Sequence, residues 1–400
     1  MSRIIKYFYV IEFFFFSGTF SFSVSRPKVS LVIWLVSSIF MLLVFKKKVN
    51  AYNWGILSFI TFWILTVQFI TTTSSFDNTY MTYILFPAGC LFGLSQFEFE
   101  ELREKLLTTF SVICFTSIIA QLVFDFLHVP PVYMRDTAGM VYTTYFYIFN
   151  LAWGGDVASN LHRMSSIFWE PGQFQIVCFF ILCLFTDKLT EIKKLKDIDI
   201  RFLPIFLGII YSQSTMGYII LSLFLFVIVF FRKKHAGVSI KTLLTMGIIL
   251  SLSFVAILAI MNSDVVQNKI EQRDNVGQAN SYNIRMMDNL ACLQATLDSP
   301  IFGLGINSKE LTDRLISYGN TTSSNGWLYT SACLGIAYIF VFFLLMYKRL
   351  REMPSNVPRI FILAIIILAH CNEAMIFFPY VYLYIFRINN RKNKNLLYNK

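Results

Sequence analysis

Charge is what this sequence has least of. Only 14 % of its 400 residues are Asp, Glu, Lys or Arg, whereas soluble domains carry roughly 25 %. So little charge excludes a disordered chain, which stays open by self-repulsion and lacks apolar surface. Cysteine is sparse too. Of seven, Cys90, Cys114, Cys178, Cys183, Cys333 and Cys371 fall in apolar runs, leaving Cys292 alone in polar sequence. One such cysteine cannot build a secreted disulfide scaffold. The four histidines (His128, His162, His235, His370) are scattered, and no Cys/His pair has the spacing of a zinc site. What the chain has instead is 56 % hydrophobic and 17 % aromatic residues, with a mean hydropathy of +0.60. It is therefore read as an integral membrane protein.

A membrane span needs about 20 mostly apolar residues. Such windows recur at 7–24, 29–45, 51–70, 80–95, 106–127, 173–186, 202–212, 216–231, 241–261, 326–347, 360–372 and 374–386. The expected fold is all-α and polytopic, with about twelve transmembrane helices. The first window follows Arg3 and Lys6 like a signal peptide. It has no small-residue cleavage site, so an uncleaved anchor is expected. The chain divides into N-terminal transmembrane helices (1–128), a first long outside loop (129–172) and central helices (173–261). A second long outside loop (262–325), C-terminal helices (326–387) and a tail (388–400) follow.

The net charge of +11 would suggest nucleic acid if it lay on one exposed face. It does not. With the N-terminus inside, 25 of the 34 Lys and Arg residues fall on the cytoplasmic side with 9 acidic residues, and the outside loops hold 9 basic and 11 acidic residues. This is the asymmetry that orients membrane proteins, so both termini are expected in the cytoplasm and no nucleic-acid partner is expected.

The polar residues capable of chemistry concentrate in the two long outside loops, a length more often functional than not. In the first, the aromatic stretch 140–153 is expected to be a helix lying at the membrane interface. It leads to Arg163, Trp169 and Glu170, held near the outer surface before Pro171-Gly172. In the second, Ser281 opens a helix in which Met286, Leu290, Leu293 and Leu297 line one face and Arg285, Asp288, Asn289, Cys292 and Thr296 another. Asp298-Ser299-Pro300 stops it. Gly303 and Gly305 then permit tight turns and close approach by a ligand, and 323–328 enters the next span.

Several blocks, in order, carry a family resemblance. R-x-x-S-x-F-W-E-P-G-Q-F (163–174), S-Q-S-T-M-G (212–217), R-x(17)-G-L-G (285–305) and S-S-N-G-W-L (323–328) make the chain resemble the O-antigen polymerase (Wzy-type) family, within the group that includes O-antigen ligases. Where relatives, ligases particularly, often have a His-Asn pair, this chain has Ser324-Asn325. That departure weighs against a ligase with a histidine base.

The resemblance implies a metal-independent glycosyltransferase of the bacterial inner membrane, without cofactors. Its donor and acceptor are undecaprenyl-diphosphate-linked oligosaccharides, the lipid diphosphate leaves, and a chain-length regulator and a flippase share the membrane. Departing diphosphate accumulates charge, which fixed arginines stabilise, and guanidinium binds phosphate oxygens in pairs. Arg163 and Arg285 are the expected diphosphate ligands. The plainer readings are a headgroup anchor for Arg163 and a solvated face or an Asp288 pair for Arg285. An acceptor hydroxyl must lose its proton. Glu170 is the expected base, against a capping or Arg163-pairing role, and His162 is the substitute. Trp169, Gly303, Gly305, Arg273 and Arg314 complete the expected substrate site, although Arg135, Arg273 and Arg314 read more simply as surface charges. Asn325 either binds sugar or caps its span. The rivals are a ligase acting on lipid A-core and, from another class, a lipid-linked oligosaccharide flippase.

Overall fold

The fold was taken from a computed structural model, which describes residues 2–16, 23, 26–71, 79–127, 132–135, 141–145, 148–151, 163–192, 194–232, 281–317, 323, 325–371 and 378–388. It is mostly helical. The helices are α1 (Ser2–Phe15), α2 (Pro27–Phe45), α3 (Ala51–Thr71), α4 (Thr79–Leu94), α5 (Phe99–Leu127), α6 (Pro171–Cys183), α7 (Thr186–Glu191), α8 (Phe202–Tyr211), α9 (Thr215–Phe230), α10 (Ser281–Asp298), α11 (Lys309–Ser317), α12 (Gly326–Leu350), α13 (Arg359–His370) and α14 (Pro379–Tyr382).

Among the described residues, four helices (α2, α3, α5 and α12) have the length and apolarity of a membrane span. Five more are apolar but shorter: the segment 80–94 of α4, and α6, α8, α9 and α13. The chain is thus a helical membrane protein. Of the expected first span at 7–24, residues 7–15 lie in α1, whose earlier start takes in Lys6 with its 2.5 Å ion pair to Glu101, and residues 17–22 and 24 lie outside the described residues. The window 241–261 lies outside the described residues, and of 374–386 only Pro379–Tyr382 is described as helix.

Ion pairs gather one set of helix ends. Besides Lys6–Glu101, they join Lys47 to Glu98, Arg103 to Asp187 at 3.0 Å, Lys188 and Arg201 to Glu104, and Arg387 to Glu352. Arg103 and Arg349 both lie against the Phe99 ring, at 5.7 and 5.0 Å. The starts of α1, α5 and α8 and the end of α12 therefore share one end of the bundle. The opposite end is marked by Thr71 and Tyr80, which meet at Gly305, and by the far end of α5, which leads into strands.

Those strands correct the expected interfacial helix. Residues 132–166 hold a four-stranded antiparallel meander, β1 (Val132–Arg135), β2 (Val141–Tyr145), β3 (Phe149–Leu151) and β4 (Met164–Ser166). The 141–151 stretch is dense in Val, Thr, Tyr and Phe, which fit a pleated surface better than a helix. The strands are few, and the described residues are mostly helical, as an all-α membrane fold expects.

Between the two ends the core is aromatic. Tyr9 stacks on Trp34 at 5.2 Å, Phe13 meets Tyr380 edge-on at 5.1 Å, and Phe14 stacks on Phe110. Each such pair adds about 0.5–1.5 kcal/mol beyond the area it buries.

One span is not straight. α12 reverses at Gly335 (φ 84°, ψ 160°). Trp327 consequently packs on Phe343 at 4.6 Å, although sixteen residues of straight helix would separate them by about 24 Å. Its indole N–H donates to the Ile367 carbonyl at 2.8 Å, and Ile367 lies about 12 Å along α13 from Arg359. The first limb of α12 therefore starts deep in the bundle and climbs to its bend.

Candidate functional site

Two pairs of sequence blocks come together. In the first, residues 163–175 meet the break between α8 and α9. Phe168 and Phe174, both fully buried, stack at 5.9 Å and pin the segment to the core. The Asn150 amide donates to the Phe168 carbonyl at 2.6 Å, and Ser166, in a left-handed conformation (φ 57°), pairs with Ser117 at 2.7 Å. Trp169 and Glu170 are thereby held half-buried between two anchors.

Glu170 occupies the N-cap position of α6 with extended backbone (φ −134°, ψ 148°), and Pro171 follows at the first helical position, where no N–H is needed. The Glu170 carbonyl accepts from Phe174 N–H at 3.1 Å, but its side chain makes no cap bond.

Arg163 is half-buried, and its charge acts on the Tyr218 phenol in the first turns of α9. The break itself is tight. Gln213 is left-handed (φ 46°), Ser214 caps α9 by accepting from Gly217 N–H at 3.4 Å, and the Tyr218 hydroxyl reaches back to the Ile210 carbonyl at 2.6 Å. A side chain at Gly208 would strike Phe174 at 2.7 Å, and one at Gly217 would strike Gln175 Oε1 at 2.1 Å. The glycines are what let the two blocks touch.

In the second pair, α10 and the Gly303–Gly305 turn meet α12. The helix has the expected two faces, but they are reversed from those of a helix in water. Asp288 and Cys292 are 0 % exposed and Thr296 3 %, while Leu290 is 42 % and Leu297 66 % exposed. Thr296 and Ser331 hydroxyls pair at 2.9 Å, and burial pushes the Cys292 thiol up to about 11. An outward leucine face is stable where the surroundings are apolar, so the stripe is consistent with lipid contact. Arg285 is exposed near the start of this helix.

The two glycines of the turn have a backbone cause. Leu304 N–H donates to the Ala332 carbonyl at 2.7 Å, Gly305 N–H to the Cys333 carbonyl at 3.0 Å, and Ile336 N–H to the Pro300 carbonyl at 2.8 Å. The bend at Gly335 frees these helical groups, and the turn satisfies them, as a water-poor interior requires. Any Cβ on Gly303 (φ 67°) would lie 2.5 Å from the Cys333 carbonyl carbon, and on Gly305 (φ 94°) 2.4 Å from Thr71 Oγ1.

Asn325 caps α12, its Oδ1 accepting from Trp327 and Leu328 N–H at 3.1 and 3.2 Å. Arg314 is held by Asp298 at 2.5 Å and Glu310 at 2.6 Å, which engages its guanidinium in surface pairs. His162 and Arg273 lie outside the described residues, as does the Arg135 side chain. Arg163 and Arg285 stand in different pairs.

Sequence reading passed over Gln175 and His370. Gln175 is fully buried, and neither its Nε2 nor its Oε1 has a partner among the described residues. His370 sits between the Phe180 and Trp327 rings, 4.9 Å from each, with Nδ1 3.1 Å from the Ile366 carbonyl. The available signal was an amide or imidazole inside an otherwise apolar run. Among the described residues no three His, Cys, Asp or Glu side chains are grouped to hold a metal ion.

No family model matches the chain, and no curated protein matches it.

Proposed function

We propose that this chain polymerises polyprenyl-diphosphate-linked oligosaccharide repeat units at the outer face of a bacterial inner membrane. The glycan held on one lipid diphosphate passes to a hydroxyl of the terminal sugar on another; the C1–O bond to diphosphate breaks as the new glycosidic bond forms. Arg163, and Arg285 from the second loop, stabilise the departing diphosphate. Glu170 takes the proton of the attacking hydroxyl.

The observation that carries this reading is the meeting of the 163–175 block with the α8–α9 break. It brings a half-buried guanidinium and a carboxylate that makes no cap bond beside a helix start, at the bundle end away from the ion-paired one. That end is assigned to the periplasm, with both chain termini cytoplasmic, by the charge count.

One observation favours the transporter reading: α8–α9 and α12 are broken helices, which transporters use around midplane sites. Deleting the gene and inspecting the surface polysaccharide separates the readings. A single repeat on lipid A-core marks a polymerase, unattached long chains a ligase, and the absence of exported repeats a flippase. In complementation, Arg163→Ala and Glu170→Gln proteins that insert normally are expected to leave single repeats. Long chains from either would remove that residue from the mechanism.

A further inference from the structure

At the ion-paired end, a cluster of cations has too few anions. Arg349, in the last turn of α12, is only 4 % exposed, and its Nη1 is 3.4 Å from Glu352. Arg387 pairs with the same carboxylate, so two guanidiniums share one acid and repel each other. Lys348 adds a third cation 4.9 Å above the Tyr52 ring, on which Arg387 also stacks at 4.0 Å. By contrast Arg103, across the Phe99 ring, is matched by Asp187 and Glu100. The half charge of the α12 C-terminal dipole does not close the gap, among the described residues, of three cations to one carboxylate.

Hydrogen bonding shows the same deficit. Tyr52 Oη, Arg349 Nε and Nη2, and Arg387 Nε are buried without a partner among the described residues. An orphaned guanidinium donor is expensive, more so than a neutral one. The cluster is nonetheless firmly built: Asn53 clamps the Arg387 backbone through two 2.8 Å hydrogen bonds. It also has a mouth: the Arg387 side chain is 32 % exposed and Lys348 lies on the surface.

We infer that Tyr52, Lys348, Arg349 and Arg387 form a binding site for a phosphate oxyanion, presented either by the headgroup of an anionic phospholipid or by a soluble phosphate. Guanidinium forks match phosphate oxygens, and basic pockets between transmembrane helices at the cytoplasmic side bind such headgroups. The site is independent of the proposed polymerase chemistry.

The test uses the full-length protein in neutral detergent, with thermal unfolding followed by tryptophan fluorescence. Phosphatidylglycerol in mixed micelles is expected to raise the midpoint by about 2–4 °C, and phosphatidylcholine at equal load is expected not to. Inorganic phosphate giving the same rise identifies the soluble source; no rise with phosphate identifies the lipid. Arg387→Gln, at the mouth, and Tyr52→Phe, which removes only the buried hydroxyl, should each at least halve the shift. Because Arg349→Gln risks misfolding, native mass spectrometry of the unaltered protein is the second readout, with retained anionic lipid or phosphate expected. Equal shifts with both lipids and with no phosphate response, an undiminished shift in the Arg387→Gln protein, or no retained anion would each overturn the assignment.

Discussion

Replacing Gly335 by alanine is expected to destabilise the fold more than any other single-methyl change in a span. The residue sits at φ 84°, ψ 160°, a region essentially reserved for glycine, where another residue costs about 1–3 kcal/mol. The new Cβ would lie 1.9 Å from the Ile301 carbonyl oxygen and 2.3 Å from its carbon. Those are backbone atoms that cannot swing away, so overpacking adds about 1–3 kcal/mol. Pushing the 300–305 turn off α12 also strains three backbone hydrogen bonds, each with a net value near 1 kcal/mol. Strain and overpacking alone give an expected loss of about 2–6 kcal/mol, before any weakening of those bonds, a large share of the roughly 5–15 kcal/mol that holds a typical protein folded. Gly55→Ala is the matched control: nothing lies within 4 Å of where its Cβ would stand in α3, and alanine gains up to about 1 kcal/mol of helix propensity there. Denaturant titration in detergent, read by tryptophan fluorescence, measures both. A Gly335→Ala protein as stable as the Gly55→Ala protein would refute the reversal of α12 and the turn that seals it.

Other consequences follow from single contacts. Asn325→Ala removes the side-chain acceptor of two N–H groups and should cost about 1 kcal/mol, with Asn325→Asp largely restoring stability in the same titration; an unchanged alanine variant would deny the cap. Arg285→Lys keeps the charge but loses the paired donors of guanidinium; it should abolish long glycan chains if Arg285 grips diphosphate and leave them intact if it supplies charge alone. The Arg201 guanidinium holds the Asp199 carboxyl below its ordinary value. A depressed folded value means the contribution is complete above the unfolded carboxyl range, near pH 4, and is lost as pH falls through the folded value. Protection factors of the 194–201 amides, corrected for intrinsic exchange, should therefore fall on acidification below about pH 4, and Asp199→Asn should lower them at neutral pH and flatten the dependence. A pH profile unchanged by Asp199→Asn would remove Asp199 from the network.

Much of the bundle could be read directly. Apolar runs of span length at 29–45, 51–70 and 106–127 became α2, α3 and α5, because lipid-facing helices tolerate no polar side. The basic clusters assigned to one side supply Lys6, Arg103, Arg201 and Arg387 to one ion-paired end. The meander at 141–151 was hidden because the same Tyr and Phe residues favour both a strand and a membrane interface. Gly335 was hidden because one glycine in an apolar helix is ordinarily tolerated, and only the docking of residues 300–305 makes it a reversal point. For α10 the periodicity was legible but its direction was not, since amphipathicity alone does not say whether water or lipid lies outside. At the site, 163–174 stood out by its motif, whereas Gln175 gains its meaning from Gly217, which is distant in sequence and adjacent only in the fold.

Topology of the Arg163–Glu170 segment is the most direct test of the central claim. Single cysteines placed at Gly172, beside that segment, and at Lys196, at the ion-paired end, can be treated with a membrane-impermeant maleimide in cells with a permeabilised outer membrane. The cysteine at 172 should label and the one at 196 should stay dark until the inner membrane is opened. The reverse pattern would put Arg163 and Glu170 where no exported lipid-linked glycan could reach them.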